Sequence, residues 1–247
     1  QNKLQTTVAI KGITIEWFSH IKLTGVYVED REKRKLLSVG ELDVKYDISD
    51  IFSNKLDIPE VSVTQLEVNL FRARTDSNFN FSFIPAAFST AGQTESQDTT
   101  GSAFVLGLGK VSLNQLQFLM DDGYGGQYYK VALSTFNTEV DEFDLNKMQF
   151  HVKQVFSDSL NCGIKLTSPY LVKQEQQTSE TTNFLFRADS IQLANNIFSF
   201  ENPETDMLVQ TTASLLGGSK LNYNQVNLHV NANYITLREH TTKVQIK

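Results

Sequence analysis

A chain of 247 residues with 28 acidic and 22 basic side chains, net charge −6, is long enough to bury a sizeable core and has no excess of positive charge with which to track a phosphate backbone, so nucleic acid is not an expected partner. The single cysteine, Cys162, excludes an intrachain disulfide and a cysteine-pair metal site, and no run approaches the roughly 18 to 20 apolar residues of a membrane-spanning helix. Four prolines, thirteen glycines and 11% aromatics, with many Val, Thr, Asn and Phe residues, favour strands and turns, so a mostly β fold is expected.

From the first residues onward the chain rewrites one eight-residue pattern: apolar, polar, apolar, two polar, apolar, polar, apolar. Loose copies run through Val8 to Ile15 and Ile21 to Val28. The basic run Arg31-Glu-Lys-Arg-Lys35 reads as a solvated turn, after which Leu37 and Val39 return, followed by a strand at Leu42 to Ile48. The spacing Ile48, Ile51, Phe52 predicts a short helix near 48–53 that plugs a sheet end. A clean copy follows at Val61, Val63, Leu66 and Val68, with a predicted return at Phe79, Phe81 and Phe83 after the turn Thr75 to Asn78. Residues 85–103 form a polar loop with Phe88 as their only large apolar residue. The copy at Val111, Leu113, Leu116 and Phe118 turns at Asp122 to Gln127 and returns through Tyr129 and Val131. A further copy spans Phe143, Leu145, Met148 and Phe150, a polar loop covers 173–183, a copy with Asn196 at one apolar point runs from Ile191 to Phe198, and the last is Leu221, Tyr223, Val226 and Leu228. At 40% apolar content, chance would give the full pattern about once in such a chain, so four clean copies mark a repeat.

Residues two apart on a strand share a face, so the double polar step would carry the second apolar pair to the opposite side of a regular strand. A one-residue bulge at that step returns both pairs to one face and bends the strand. The expected architecture is an elongated, curved antiparallel sheet shaped as a U-shaped trough, or β-taco, with a β-sandwich or barrel as the alternative. Its parts are a first sheet segment (1–84), the loop 85–103, and a continuing sheet segment (104–247).

Residue types that carry chemistry are scattered. His20, His151, His229 and His240 lack the close spacing of paired metal ligands, and His151 and His229 occupy polar points of strand copies that face solvent. Asp121 and Asp122 point to opposite faces if they lie on a strand, and the glycines after them read them as turn formers. Gly107-Leu-Gly-Lys110 lacks the rest of a phosphate loop, and no Gly-x-Ser-x-Gly elbow occurs. Cys162 reads as a small strand filler. No catalytic residue, metal or cofactor is expected, and the chain reads as a non-enzyme.

The stretch Ile13-Thr-Ile-Glu-Trp-Phe-Ser-His-Ile-Lys-Leu-Thr-Gly-Val-Tyr-Val-Glu-Asp30, with Lys35-Leu-Leu-Ser-Val39, Ile58-Pro-Glu-Val-Ser-Val-Thr-Gln-Leu-Glu-Val-Asn-Leu-Phe-Arg72 and Asn78-Phe-Asn-Phe-Ser-Phe-Ile84, resembles the opening region of the AsmA and TamB family of bacterial envelope proteins. Residues 8 to 84 carry this resemblance, while beyond Phe104 only the strand repeat supports it. The resemblance implies an open apolar trough in the periplasm of a Gram-negative bacterium, tethered to the inner membrane by an anchor upstream of this chain. It also implies phospholipid movement toward the outer membrane, or assistance to outer-membrane barrel and autotransporter assembly with a barrel protein as partner. Gln1 in place of Met fits a piece of a longer protein.

A one-sided apolar sheet must be buried, closed, or offered to a ligand. The expected lipid-binding floor is Val61, Val63, Leu66, Val68, Leu70, Val111, Leu113, Leu116, Phe118, Met120, Phe143, Leu145, Met148, Phe150, Ile191, Leu193, Phe198, Phe200, Leu221, Tyr223, Val226 and Leu228. A scaffold that templates incoming barrel strands at its edge is the second reading. A carbohydrate-binding or adhesin-like sandwich is the third, disfavoured because the only tryptophan, Trp17, falls in a strand copy.

Overall fold

The computed structural model describes residues 4–16, 19–46, 55–84, 105–144, 149–169, 185–224 and 229–246. Its strand segments are β1 (Val8–Ala9), β2 (Gly12–Glu16), β3 (His20–Glu29), β4 (Lys35–Lys45), β5 (Lys55–Arg72), β6 (Val105–Asp122), β7 (Gln127–Asp144), β8 (Gln149–Asp158), β9 (Asn161–Leu166), β10 (Leu185–Asn202), β11 (Met207–Asn224), β12 (His229–Asn231) and β13 (Tyr234–Ile246). All thirteen lie in one sheet, in the order β1-β3-β4-β5-β6-β7-β8-β10-β11-β12, with β2 beside β3, β9 between β7 and β10, and β13 beside β11.

Three of these strands are broken in two. β8 and β9 keep one register on β10, from Gln149 opposite Leu185 to Lys165 opposite Glu201. β1 with β2 on β3, and β12 with β13 on β11, do the same. The sheet therefore has ten strands, and the ring β7-β8-β10-β9 is one interrupted strand between two neighbours, not a closed barrel. Among the described residues, no two strands approach each other except as ladder neighbours.

Pairing is antiparallel except at two joints, β5 with β6 and β8/β9 with β10. Parallel neighbours need a connection that returns along the strand. The polar stretches 85–103 and 173–183 fall in those two connections. The β5–β6 ladder, from Lys55 opposite Val105 to Arg72 opposite Asp122, makes residues before and after the first stretch a single sheet.

The double polar step marks a crease that crosses every strand. Between Thr24–Glu41 and Val26–Val39 the pair Gly25–Gly40 is skipped without a change of register. The same gap falls at Gly40–Gln65, Gln65–Gln115, Gln115–Ser134, Asn195–Ser214 and Ser214–Glu239. Lys11 and Ser159 occupy it at the breaks of β1/β2 and β8/β9. Strands running in one direction adopt the left-handed region there: Gly25 (φ 60°), Gln65 (56°), Gln115 (61°), Ser159 (57°), Asn195 (54°) and Glu239 (43°). The oppositely directed strands, with Lys11, Gly40, Ser134 and Ser214 at the crease, do not. Each strand contributes one residue, so the expected isolated bulges are replaced by an aligned fold line that preserves register.

A second crease lies six residues away, at Pro59, Gly109, Asp189 and Lys220 against Gln65, Gln115, Asn195 and Ser214. It explains a proline in a central strand. Pro59 lacks the N–H that a ladder position requires, but its position is unpaired. Gly109 is needed opposite it, because a Cβ there would sit 2.4 Å from the Pro59 carbonyl oxygen.

Burial gives the direction of bending. The apolar-face residues just inside the creases are the best buried: Val39, Leu133 and Ala213 at the first, Val152 and Ala188 at the second. The crease residues Gln65, Gln115, Asn195 and Lys220 are exposed. Closed inner corners and open outer ones make the apolar face concave. At about 3.3 Å per residue and 4.8 Å per strand, the trough is about 20 Å between creases and about 43 Å long.

Other expectations change. Phe79 to Phe83 form turns instead of a return strand, with Phe83 buried beneath Arg31. The copies at 143–150 and 221–228 each span two antiparallel neighbours instead of one strand: Phe143 on β7 pairs with Phe150 on β8, and Asn224 on β11 with His229 on β12. The pattern cannot separate a crease from a turn, since both place two polar residues between apolar pairs. The helix near 48–53 and Trp17 lie outside the described residues.

Side chains at left-handed crease positions carry a backbone cost of about 1–2 kcal/mol, greater for a β-branched residue. Gln115→Val is expected to lower stability by about 1–2 kcal/mol in urea titration, whereas Ser134→Val on the same crease is expected to change it by less than about 0.5 kcal/mol.

Candidate functional site: a concave apolar trough

Ladder pairing converts the repeat into rows along the trough axis. One row runs Ile15, Ile21, Val44, Val61, Val111, Thr138, Val155, Ile191, Gly218, Ile235. Its neighbour runs Ile13, Leu23, Leu42, Val63, Leu113, Phe136, Ser157, Leu193, Leu216, Leu237. Beyond the first crease, Val39, Leu66, Leu116 and Leu133 form a third row, and Val68, Phe118, Val131, Cys162 and Phe198 a fourth. Leu70, Met120, Tyr129, Ile164 and Phe200 follow in a fifth. The left-handed residue absorbs one step of alternation, so Val63 and Leu66, three apart, stay on one face.

The structure places Val61, Val63, Leu66, Val68, Leu70, Val111, Leu113, Leu116, Phe118, Met120, Ile191, Leu193, Phe198 and Phe200 in these rows on one face of the sheet. Phe143 and Phe150 meet edge to face at 5.4 Å where β7 and β8 join, and Phe150 is followed across the sheet by Phe186 and Tyr223, with Leu221 two residues before Tyr223 on β11. Leu145, Met148, Val226 and Leu228 lie outside the described residues. Each of the predicted positions that is described keeps part of its surface open, while Val39, Leu133, Thr138 and Ser157 in the same rows are buried. A two-sheet sandwich would seal the central members of every row.

The sequence reading missed the wall supplied by the return strands. Leu37, Val39, Leu42 and Val44 form a full eight-residue copy, so a signal was present in β4. In β7 the signal is broken by Thr138, whose hydroxyl donates to the Gln154 carbonyl at 2.7 Å.

Charge is gathered on the convex face. Lys22–Glu41 (2.8 Å), Lys45–Glu60 (2.8 Å), Lys153–Glu139 (2.6 Å) and Lys165–Glu201 (3.0 Å) pair across strands there. His151 sits between Asp141 (2.9 Å) and Asp189 (3.3 Å), and His20 contacts Asp43. Among the described residues no group of three or more His, Cys, Asp or Glu is placed to hold a metal ion.

One rim of the trough is hemmed by two buried carboxylates. Asp30, 1% exposed, accepts from the backbone N–H of Glu32 and Arg34 (both 2.9 Å), from Arg34 Nε (2.8 Å) and from Asn80 Nδ2 (3.1 Å). Burial pushes its carboxyl pKa up, but these donors together outweigh it and hold the value below the usual range. Asp122, 4% exposed, accepts from Arg72 Nε (2.7 Å), Arg72 Nη2 and the Gly125 N–H (2.8 Å). The Arg72 guanidinium holds it low despite burial. That guanidinium also stacks on Phe79 (4.4 Å) and Tyr124 (4.9 Å). Asp122 is therefore a turn former, as expected, and also half of an ion pair that joins the ends of β5 and β6.

Cys162 lies in the fourth row, facing the trough between Val131 and Phe198, and burial raises its thiol pKa. It is a small, partly buried filler in that row. No protein-family model and no curated protein matches this chain.

Proposed function

We propose that this chain is a non-enzymatic lipid-carrying segment whose trough holds acyl chains. The observation that carries the reading is the run of apolar rows along a concave face over which, among the described residues, no second layer of strands lies. Each methylene moved from water to such a wall gains about 0.8 kcal/mol, so a chain of some sixteen carbons would gain roughly 12 kcal/mol. Walls about 20 Å apart leave about 10 Å once each has taken up its share of a normal side-chain layer. The rows run along the trough axis, so acyl chains lie across the strands. A bilayer about 30 Å thick holds two chains end to end, so a 43 Å trough fits two to three chain lengths.

The resemblance of residues 8 to 84 supports placing this trough in the AsmA and TamB family, in the periplasm and tethered to the inner membrane, with phospholipid as cargo moving toward the outer membrane. Templating of barrel strands is the second reading, favoured by the open sheet edges. The trough is preferred because its apolar rows span all ten strands, which edge pairing alone does not need.

Native mass spectrometry of the purified protein is expected to show bound phospholipid, and maleimide labelling of Cys162 is expected to slow when phospholipid is added. A Cys introduced at Gln117, on the convex face, should label at an unchanged rate. Absence of lipid together with unchanged Cys162 labelling overturns the proposal.

A further inference from the structure

We propose that the two open edges of the sheet pair in trans, the β13 edge of one copy with the β2 edge of the next, so that the trough continues from copy to copy. Among the described residues β2 ladders only with β3, and β13 only with β11. Both edges expose apolar side chains: Ile13 is 61%, Ile15 60% and Ile235 67% exposed.

These residues are the end members of the same inward rows. Ile15 and Ile235 terminate the row through Val61, and Ile13 and Leu237 the row through Val63. With rows aligned and strands antiparallel, Ile15 meets Ile235 and Ile13 meets Leu237. The same alignment brings exposed Lys11 opposite exposed Glu239 on the first crease, and Thr14 opposite Thr236 on the convex face. The first crease thus runs on unbroken. A slip of one residue would turn every apolar side chain to the convex face, so the register is strongly selected. An unpaired edge of the form Ile-Thr-Ile is a template for another strand. The contact joins different surfaces of the two copies and does not close, so it builds an open series instead of a fixed dimer. Backbone pairing of edges does not require an acyl guest, and this inference stands apart from the carrier reading.

The test is disulfide trapping in a Cys162→Ala background, with folding checked by circular dichroism. Thr14→Cys with Thr236→Cys is expected to give dimers, trimers and longer species on oxidation, while Thr14→Cys with Lys243→Cys stays monomeric. In sedimentation velocity the unmodified protein is expected to grow with concentration, and Ile235→Lys with Leu237→Glu to remain monomeric. Monomer at every concentration, absence of the Thr14–Thr236 crosslink, or efficient dimerisation of Thr236→Cys alone, which reports a closed β13–β13 pair, overturns the proposal.

Discussion

Leu116→Glu is expected to leave the sheet folded and to remove bound phospholipid from the purified protein. Leu116 sits mid-trough in the row with Leu66 and Leu133, beside the left-handed Gln115, and is only partly buried. Without a guest its replacement carboxylate reaches water, so the folding cost is modest. With a guest the carboxylate must be covered, and the wall also loses about three methylene-sized contacts. The contacts alone amount to about 2–3 kcal/mol, or roughly 30- to 160-fold in affinity, and desolvating the charge adds to this. Gln117→Glu, one residue on and facing the convex side, is expected to bind lipid normally. Val68→Asp provides a second wall position should the first variant fold poorly. Native mass spectrometry beside circular dichroism checks the outcome, and full lipid occupancy in a folded Leu116→Glu protein would count strongly against an acyl-binding trough.

The largest stability loss is expected at the rim. Arg72→Leu leaves Asp122 buried with backbone donors in place of a guanidinium, and it removes the stacking on Phe79 and Tyr124. Stranding a carboxylate in this way costs about 2–3 kcal/mol, below the value for a fully enclosed pair because the Arg72 side chain keeps 19% of its surface exposed. The double variant Arg72→Leu with Asp122→Leu should recover part of the loss, because no unpaired charge remains; urea titration of the full cycle measures the coupling. Asp122 and Asp30 also contribute to the acid response. Both carboxyls have folded pKa values below their ordinary ones. Their stabilising contribution is therefore complete above the unfolded carboxylate pKa, about 3.9, and is lost as pH falls through the lower folded values. Arg72→Leu should accordingly flatten the stability profile on the acid side.

The strand repeat was legible because a half-exposed sheet keeps its alternation in full: polar residues mark the convex face and apolar residues the trough. Val61 to Val68 and Val111 to Phe118 share one face only if a residue at the polar step drops out of the alternation, and the pattern offers this beside the alternative of two opposite faces. What the pattern does not hold is the partner of that residue. Gln65, Gln115 and Asn195 are far apart in sequence, and only ladder pairing shows that they form one line. The strand pairs at 143–150 and 221–228 imitate a creased strand because a turn and a crease have the same polarity pattern. The ion pair Arg72–Asp122 joins residues fifty positions apart through a parallel ladder, and parallel pairing leaves no short-range trace.

The creases also mean that cross-section and length are set by different parts of the chain. Where the two polar steps fall within a strand fixes the width of the channel, while the number of hairpins fixes how far it reaches. Among the described residues every strand touches only its ladder neighbours, so stability accumulates from adjacent pairs as in a solenoid. A hairpin such as β10–β11 could be duplicated or excised, lengthening or shortening the duct by about 10 Å without changing its bore. Evolution, or an engineer, can tune the span of such a molecule by editing whole hairpins, one left-handed strand and one ordinary strand at a time.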